Sequence, residues 1–234
     1  YVRREQSVQA KKNNVEEMTH APVRRLVTHL AIPSIVIMII TNIYNLADTA
    51  FVSQLGNSAS GAVGIVFGFM AIIQAFGFMF GQGAGSMAAR YIGEQKFVQV
   101  NRTATTGIVF SFLAGCLITV FGLIFRDELT VFLGSTPTIK PYADIYITYI
   151  LASCPAMTSS ITMNVVLRYE GKASLGAVGM LSGAILNIVG DAFFMNVLHM
   201  EIGGAGLSTF LCQIISFVIL LWMFLSGRTI SKLS

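Results

Sequence analysis

Residues 174–198 read SLGAVGMLSGAILNIVGDAFFMNVL, and the one charged residue in that run, Asp191, decides how the chain is understood. The run is long enough to cross a bilayer as a helix, which takes about 20 apolar residues. An ionised Asp near the middle of such a helix costs roughly 2.5–3.5 kcal/mol on insertion scales, so a carboxylate there marks a functional site. Asn187 lies one turn earlier on the same helical face. Gly176, Gly179, Gly183 and Gly190 continue that face. A stripe of small and polar residues looks into protein or a water-filled cavity rather than into lipid.

Working outward, five more apolar segments lie near 26–53, 61–89, 103–125, 141–166 and 203–226. With 54% hydrophobic and 11% charged residues, the composition is that of a polytopic all-α membrane protein, a six-helix bundle. The segments divide the chain into a polar tail (1–25), a transmembrane lobe (26–226) and a short C-terminal piece (227–234) that is a second tail or the start of a linker. Of the 15 Lys and Arg, 13 fall on the side of the two tails and two, Arg126 and Lys140, on the other. By the positive-inside rule both termini are expected in the cytoplasm, with the lobe in the inner (plasma) membrane. The basic residues border membrane segments, so no nucleic-acid partner is expected. The first apolar run is too long for a cleavable signal peptide, and no small-x-small cleavage site ends it. Cys116, Cys154 and Cys212 each sit in an apolar segment without metal spacing, as small packing residues. His20, His29 and His199 form no cluster. Gly77, Gly81 and Gly85 are spaced for close helix packing, with a hinge as the alternative. Residues 91–102, YIGEQKFVQVNR, read as a short amphipathic connector, and Thr136-Pro137 with Lys140-Pro141 as an external turn.

Other segments carry polar residues that need partners. The first holds Thr41, Asn45 and Asp48 on one face, with Pro33 two turns earlier, where a proline frees a carbonyl and permits a bend. The fourth holds Tyr142, Tyr146 and Tyr149, with Asn164 further along; the sixth holds Gly206, Thr209, Gln213 and Ser216 on one face. At 1.5 Å per residue, Asp48, Tyr146, Asp191 and Thr209 fall within about one helical turn of a common depth. Two carboxylates brought together there repel, and desolvation acts the same way, so one of them is expected to hold a proton near neutral pH. With Asn and Thr oxygens alongside, the same cluster could hold a hard cation such as Na+. The remaining alternative is a satisfied hydrogen-bond network joining the first, fifth and sixth segments. The coupling ion, H+ or Na+, is the only cofactor expected. No catalytic motif (His-Glu-x-x-His, serine elbow or phosphate loop) is present, and the chain reads as a non-enzyme.

Leu30-Ala31-Ile32-Pro33 and Asn45-Leu46-Ala47-Asp48-Thr49-Ala50-Phe51-Val52-Ser53-Gln54-Leu55-Gly56 resemble the first helix of the multidrug and toxic compound extrusion (MATE) transporters, in particular their prokaryotic DinF-like branch. Gly81-Gln82-Gly83 running into Ala88-Ala89-Arg90-Tyr91-Ile92-Gly93 is similar to the family's second helix, and Asn187-x-x-x-Asp191 to its fifth. The resemblance covers about residues 24–228. It implies a cation-coupled antiporter that exports amphipathic or cationic compounds by alternating access. It also implies a cation or Na+ site at Asp48, Asn187, Asp191 and Thr209, a cavity lined by Tyr146 and Asn164, and a bend at Pro33. Asn45 and Gln213, on the same faces as Asp48 and Thr209, join that lining. Members have twelve helices in two lobes. The expected partners are therefore the lipid bilayer, a small-molecule substrate, and a second lobe or a second copy in a homodimer, a pairing that parallel repeats allow. Two rivals stand beside this reading. A flippase for lipid-linked sugars is disfavoured because no Lys or Arg lies mid-membrane. An intramembrane aspartyl protease would need Gly-x-Gly-Asp, where this chain has Ile188 in place of the first Gly.

Overall fold

The computed structural model describes residues 23–233. Helix α1 spans Val23–Ser53, α2 Asn57–Gly93, α3 Phe97–Ile124, α4 Arg126–Phe132, α5 Lys140–Tyr169, α6 Ala173–Asp191 and α7 Glu201–Leu225. A π-helical turn, Ala192–Val197, continues α6. Six of these helices are long and apolar enough to cross a membrane, α4 being the exception. They correspond one for one to the six segments read from the sequence. Short turns join most of them, so chain neighbours run antiparallel. We call the end where α1 begins and α7 finishes the terminal end, and the opposite end the distal end. The side chains of Pro33 and Asn45, and residues 1–22 of the polar tail, lie outside the described residues.

The connector expected at 91–102 is much shorter. Helix α2 continues to Gly93 and α3 starts at Phe97, leaving a three-residue turn whose Gln95 adopts φ 58°. The amphipathic pattern of that stretch belongs to two helix ends that pack on one another through Tyr91, Ile92, Phe97 and Val100. The distal loop after α3 also holds the unexpected short helix α4. Lys140 ties it down by pairing with Asp127 (2.8 Å) and Asp144 (2.9 Å), while Thr130 donates to Asp144 at 2.8 Å. The Lys140 ammonium holds the Asp127 carboxyl below the usual carboxylate range.

The centre of the bundle is α5. In its apolar window 89% is buried inside the protein, against 12–39% for the other five spans, and its mean hydropathy of 1.4 is the lowest of the six. Low hydropathy suits a helix that faces protein on all sides. Ser153, Thr158, Ser159, Ser160 and Thr162 are all buried along it. Thr158 donates to the Ser111 carbonyl of α3 at 2.9 Å and Thr162 to the Gly77 carbonyl of α2 at 3.0 Å. Pro155 has no N–H to offer the carbonyl four residues back, Leu151. Thr119 of α3 supplies that bond at 2.6 Å. The approach requires Gly115, where an added Cβ would stand 2.6 Å from Pro155 Cα. Gly77, Gly81 and Gly85 of α2 likewise face Ile161, Val165 and Tyr169 of α5. The glycine stripe of α2 is therefore a packing surface.

The terminal end is closed by the piece after α7. Ile230 is fully buried against Ala88, Ile92 and Val100. Glu170, in the α5–α6 turn, accepts from the Ile230 N–H (2.8 Å), the Ser231 N–H (3.1 Å) and the Ser231 hydroxyl. Lys172 donates to the Arg228 carbonyl, and the Lys232 N–H donates to Asn101 Oδ1 at 2.8 Å. A run read only as a tail or linker thus folds back onto the bundle.

Candidate functional site

The glycine stripe of α6 positions the site. Gly179 and Gly183 lie against Leu220 and Ser216 of α7, and an added Cβ at Gly190 would stand 2.5 Å from Ser208 Oγ. Side chains of ordinary size there would push α7 away. With none, Asn187 comes within reach of both Ser208 and Thr209. The π turn begins immediately after Asp191, marked by the Leu198 N–H bonding back to the Phe193 carbonyl at 3.1 Å. Such turns are rare and gather at functional sites. Together with the positive φ of His199 (51°) and Glu201 (50°), it folds α7 back tightly on α6.

The structure brings together Asp48, Tyr146, Asn187, Asp191 and Thr209. Asp48 is 3% exposed, and Tyr146, Asn187 and Asp191 are fully buried. Tyr146 donates its hydroxyl to Asp48 Oδ2 at 3.0 Å, joining α5 to α1. The Asn187 amide reaches Thr209 Oγ1 at 3.3 Å and Ser208 Oγ at 3.4 Å. Ser208 spends its single proton on the Asn187 carbonyl at 2.9 Å. Asp48 of α1 and Asp191 at the end of α6 are the two buried carboxylates of this cluster. Tyr146 lies within this buried cluster rather than on an open cavity wall.

Four oxygens in the cluster have no donor among the described residues: Asp48 Oδ1, Asn187 Oδ1 and both carboxylate oxygens of Asp191. Buried acceptors left unpaired cost about 1–3 kcal/mol each, and more when charged. Protons on the carboxylates, or a hard cation shared among the oxygens, would satisfy them. The donor set therefore fits H+ or Na+. No group of three or more His, Cys, Asp or Glu gathers for a metal among the described residues.

A cavity of about 310 Å³ lies on the terminal side of the cluster, between α1, α2, α5, α6 and α7. Thr41, Gln213 and Asn164 line it, as do the apolar Met38, Phe78 and Met157. Gln213 is one turn from Thr209 along α7, so the cavity adjoins the cluster. Two contributors escaped the sequence reading. Ser208 lies one position off the Thr209–Gln213 stripe, and only its packing on Gly190 brings it inward. Arg168 lines the terminal end of the cavity, although its place at the end of a segment reads as an ordinary membrane-edge charge.

The sequence pattern of the family MatE matches residues 33–193. Over 182 residues the chain is 26% identical to the multidrug export protein MepA of Staphylococcus haemolyticus (strain JCSC1435), covering 77% of this chain and 40% of that protein. It is 26% identical over 193 residues to an FAD transporter of Shewanella oneidensis, covering 81% of this chain and 43% of the relative. A crystal structure of MATE in the bent conformation superposes with a TM-score of 0.87 at 28% identity, covering 94% of this chain and 49% of the other. The chain spans about half the length of the relatives it matches.

Proposed function

This chain belongs to the MatE family of membrane transporters, and we propose that it forms one lobe of a cation-coupled exporter of amphipathic compounds. The observation that carries the proposal is the cluster of four donorless oxygens on Asp48, Asn187 and Asp191. A site that must be completed by H+ or Na+, and that joins α1 to α5 and α6 to α7, is one whose loading changes helix packing. Family membership supports the transporter reading over the protease rival.

In this reading, the gradient-driven cation enters the cluster from the distal side, taken as the outside of the cell. Asp48 and Asp191 hold its charge, Asn187 and Thr209 orient it, and Tyr146 fixes one Asp48 oxygen. Loading relieves repulsion between the two carboxylates and lets α1 change its seat on α6. Pro33 is the proposed place for α1 to bend, and Asn45 a further wall of the cavity. The adjoining cavity holds the exported compound. Relatives named for multidrug export and for FAD show that cargo is not inherited with the family. With both termini cytoplasmic, a second lobe or second copy of the same orientation would complete a twelve-helix pathway in the plasma membrane.

Asp48→Asn and Asp191→Asn test the proposal. Each is expected to abolish gradient-driven export in membranes containing the protein, with expression and melting behaviour kept. Export at the wild-type rate by both variants would remove the coupling role.

A further inference from the structure

The cavity is not electrically neutral. Arg168 is its one ionisable lining residue among the described side chains. The carboxylates that would attract a cationic compound, Asp48 and Asp191, are absent from the lining and sit in the cluster on its distal side. Arg168 has no ion pair among the described residues. Glu170, the acid nearest to it in sequence, is occupied by the Ile230 and Ser231 N–H groups and the Ser231 hydroxyl, so among the described residues no carboxylate compensates the guanidinium.

Two buried donors at this end of the cavity, Arg168 Nε and Asn164 Nδ2, also have no acceptor among the described residues. They lie four residues apart on α5, one above the other on the same face. Asn164 is 6% exposed, and its amide abuts Gly176, where an added Cβ would stand 2.6 Å from Nδ2. The glycine leaves room for the amide beside the guanidinium. Above the pair, the walls are Met38, Phe78, Met157, Ile161 and Met180. Methionine side chains adapt to apolar groups of varied shape. Asn164 is about 27 Å along α5 from Tyr146, so this end of the cavity is separate from the cation cluster.

We infer that Arg168 and Asn164 form a recognition site for an anionic head group, a carboxylate or phosphate, whose apolar tail lies along the methionine-lined wall. A planar guanidinium is suited to such oxyanions, and the adjacent amide adds a second donor. The inference rests on the exporter reading for its purpose, and it narrows the cargo from the amphipathic or cationic compounds expected by resemblance to amphipaths carrying a negative group. The same chemistry is offered by an anionic phospholipid and by a free anionic amphipath.

The test is equilibrium binding to the full chain in a neutral detergent, using two probes with the same tail, dodecyl phosphate and dodecyltrimethylammonium. The phosphate is expected to bind at least tenfold more tightly. Arg168→Gln should remove that preference by weakening only the phosphate, and Arg168→Lys should keep part of it. Equal affinity for the two probes, or tighter binding of the ammonium, overturns the inference on the wild-type protein alone, whether or not the variants fold. Reconstitution into phosphatidylcholine with and without phosphatidylglycerol then identifies the source. Competition by phosphatidylglycerol that depends on Arg168 assigns the site to lipid, and its absence assigns the site to a free amphipath. Binding is read without transport, so a failed export assay and a failed charge preference remain distinct results.

Discussion

The residues of the cluster divide into those that are satisfied and those that are not. Among the described residues Tyr146 gives Asp48 its one side-chain hydrogen bond, at 3.0 Å, and the second Asp48 oxygen has no donor. Tyr146→Phe removes that donor and nothing else of size. Hydrogen bonds to charged groups are worth about 1.5–3 kcal/mol. Cation-dependent export by Tyr146→Phe should therefore fall by about tenfold or more, with the melting temperature nearly kept. An unchanged export rate would show that the bond is incidental to coupling. At this scale the sequence was informative for a physical reason: a carboxylate in an apolar run has few harmless explanations. Asp48, Asn187 and Asp191 could be singled out by cost alone, and Thr209 by the face it shares with Gly206, Gln213 and Ser216. Ser208 could not, because a hydroxyl in a membrane helix bonds its own backbone at little cost and leaves no signal.

At the scale of elements, glycine decides which helices touch. Gly115 admits Pro155, and an added Cβ would meet backbone there, 2.6 Å from Cα and 2.9 Å from N. Gly64 of α2 has nothing within 4 Å of the same position. Gly115→Ala should destabilise the α3–α5 contact by roughly 1–3 kcal/mol, as overpacking does. Gly64→Ala should be neutral or stabilising by up to about 1 kcal/mol from helix propensity. Thermal unfolding in detergent compares the two, and equal effects would contradict the packing described for α3 and α5. The six spans were readable because length and hydropathy suffice for them. The central place of α5 was not, since it depends on which helices present small residues to it. The π turn and α4 were missed because both arise where neighbouring elements close off the distal end.

For the whole molecule, the terminal end is held by one buried carboxyl. Burial raises the Glu170 carboxyl above its ordinary value of 4.5. The folded chain then keeps this proton to a higher pH than the unfolded chain does. The stabilisation is complete below about 4.5 and is lost as pH rises through the folded value. Wild-type thermal stability should accordingly decline as pH rises from about 4.5 toward neutral, and Glu170→Gln should flatten that decline. A variant with the same slope would place the pH dependence elsewhere. This clasp was not legible from residue pattern, because Arg-Tyr-Glu-Gly-Lys reads as a polar turn until residues 230–231 are seen to return to it. The cluster between α1, α5, α6 and α7 is the centre of the functional account, and cation binding to the purified full chain tests it most directly. Titration with Na+, and measurement of protons taken up between acidic and neutral pH, should show one saturable cation in the wild type and none in the Asp48→Asn/Asp191→Asn double variant. Undiminished binding by a folded double variant would contradict the account.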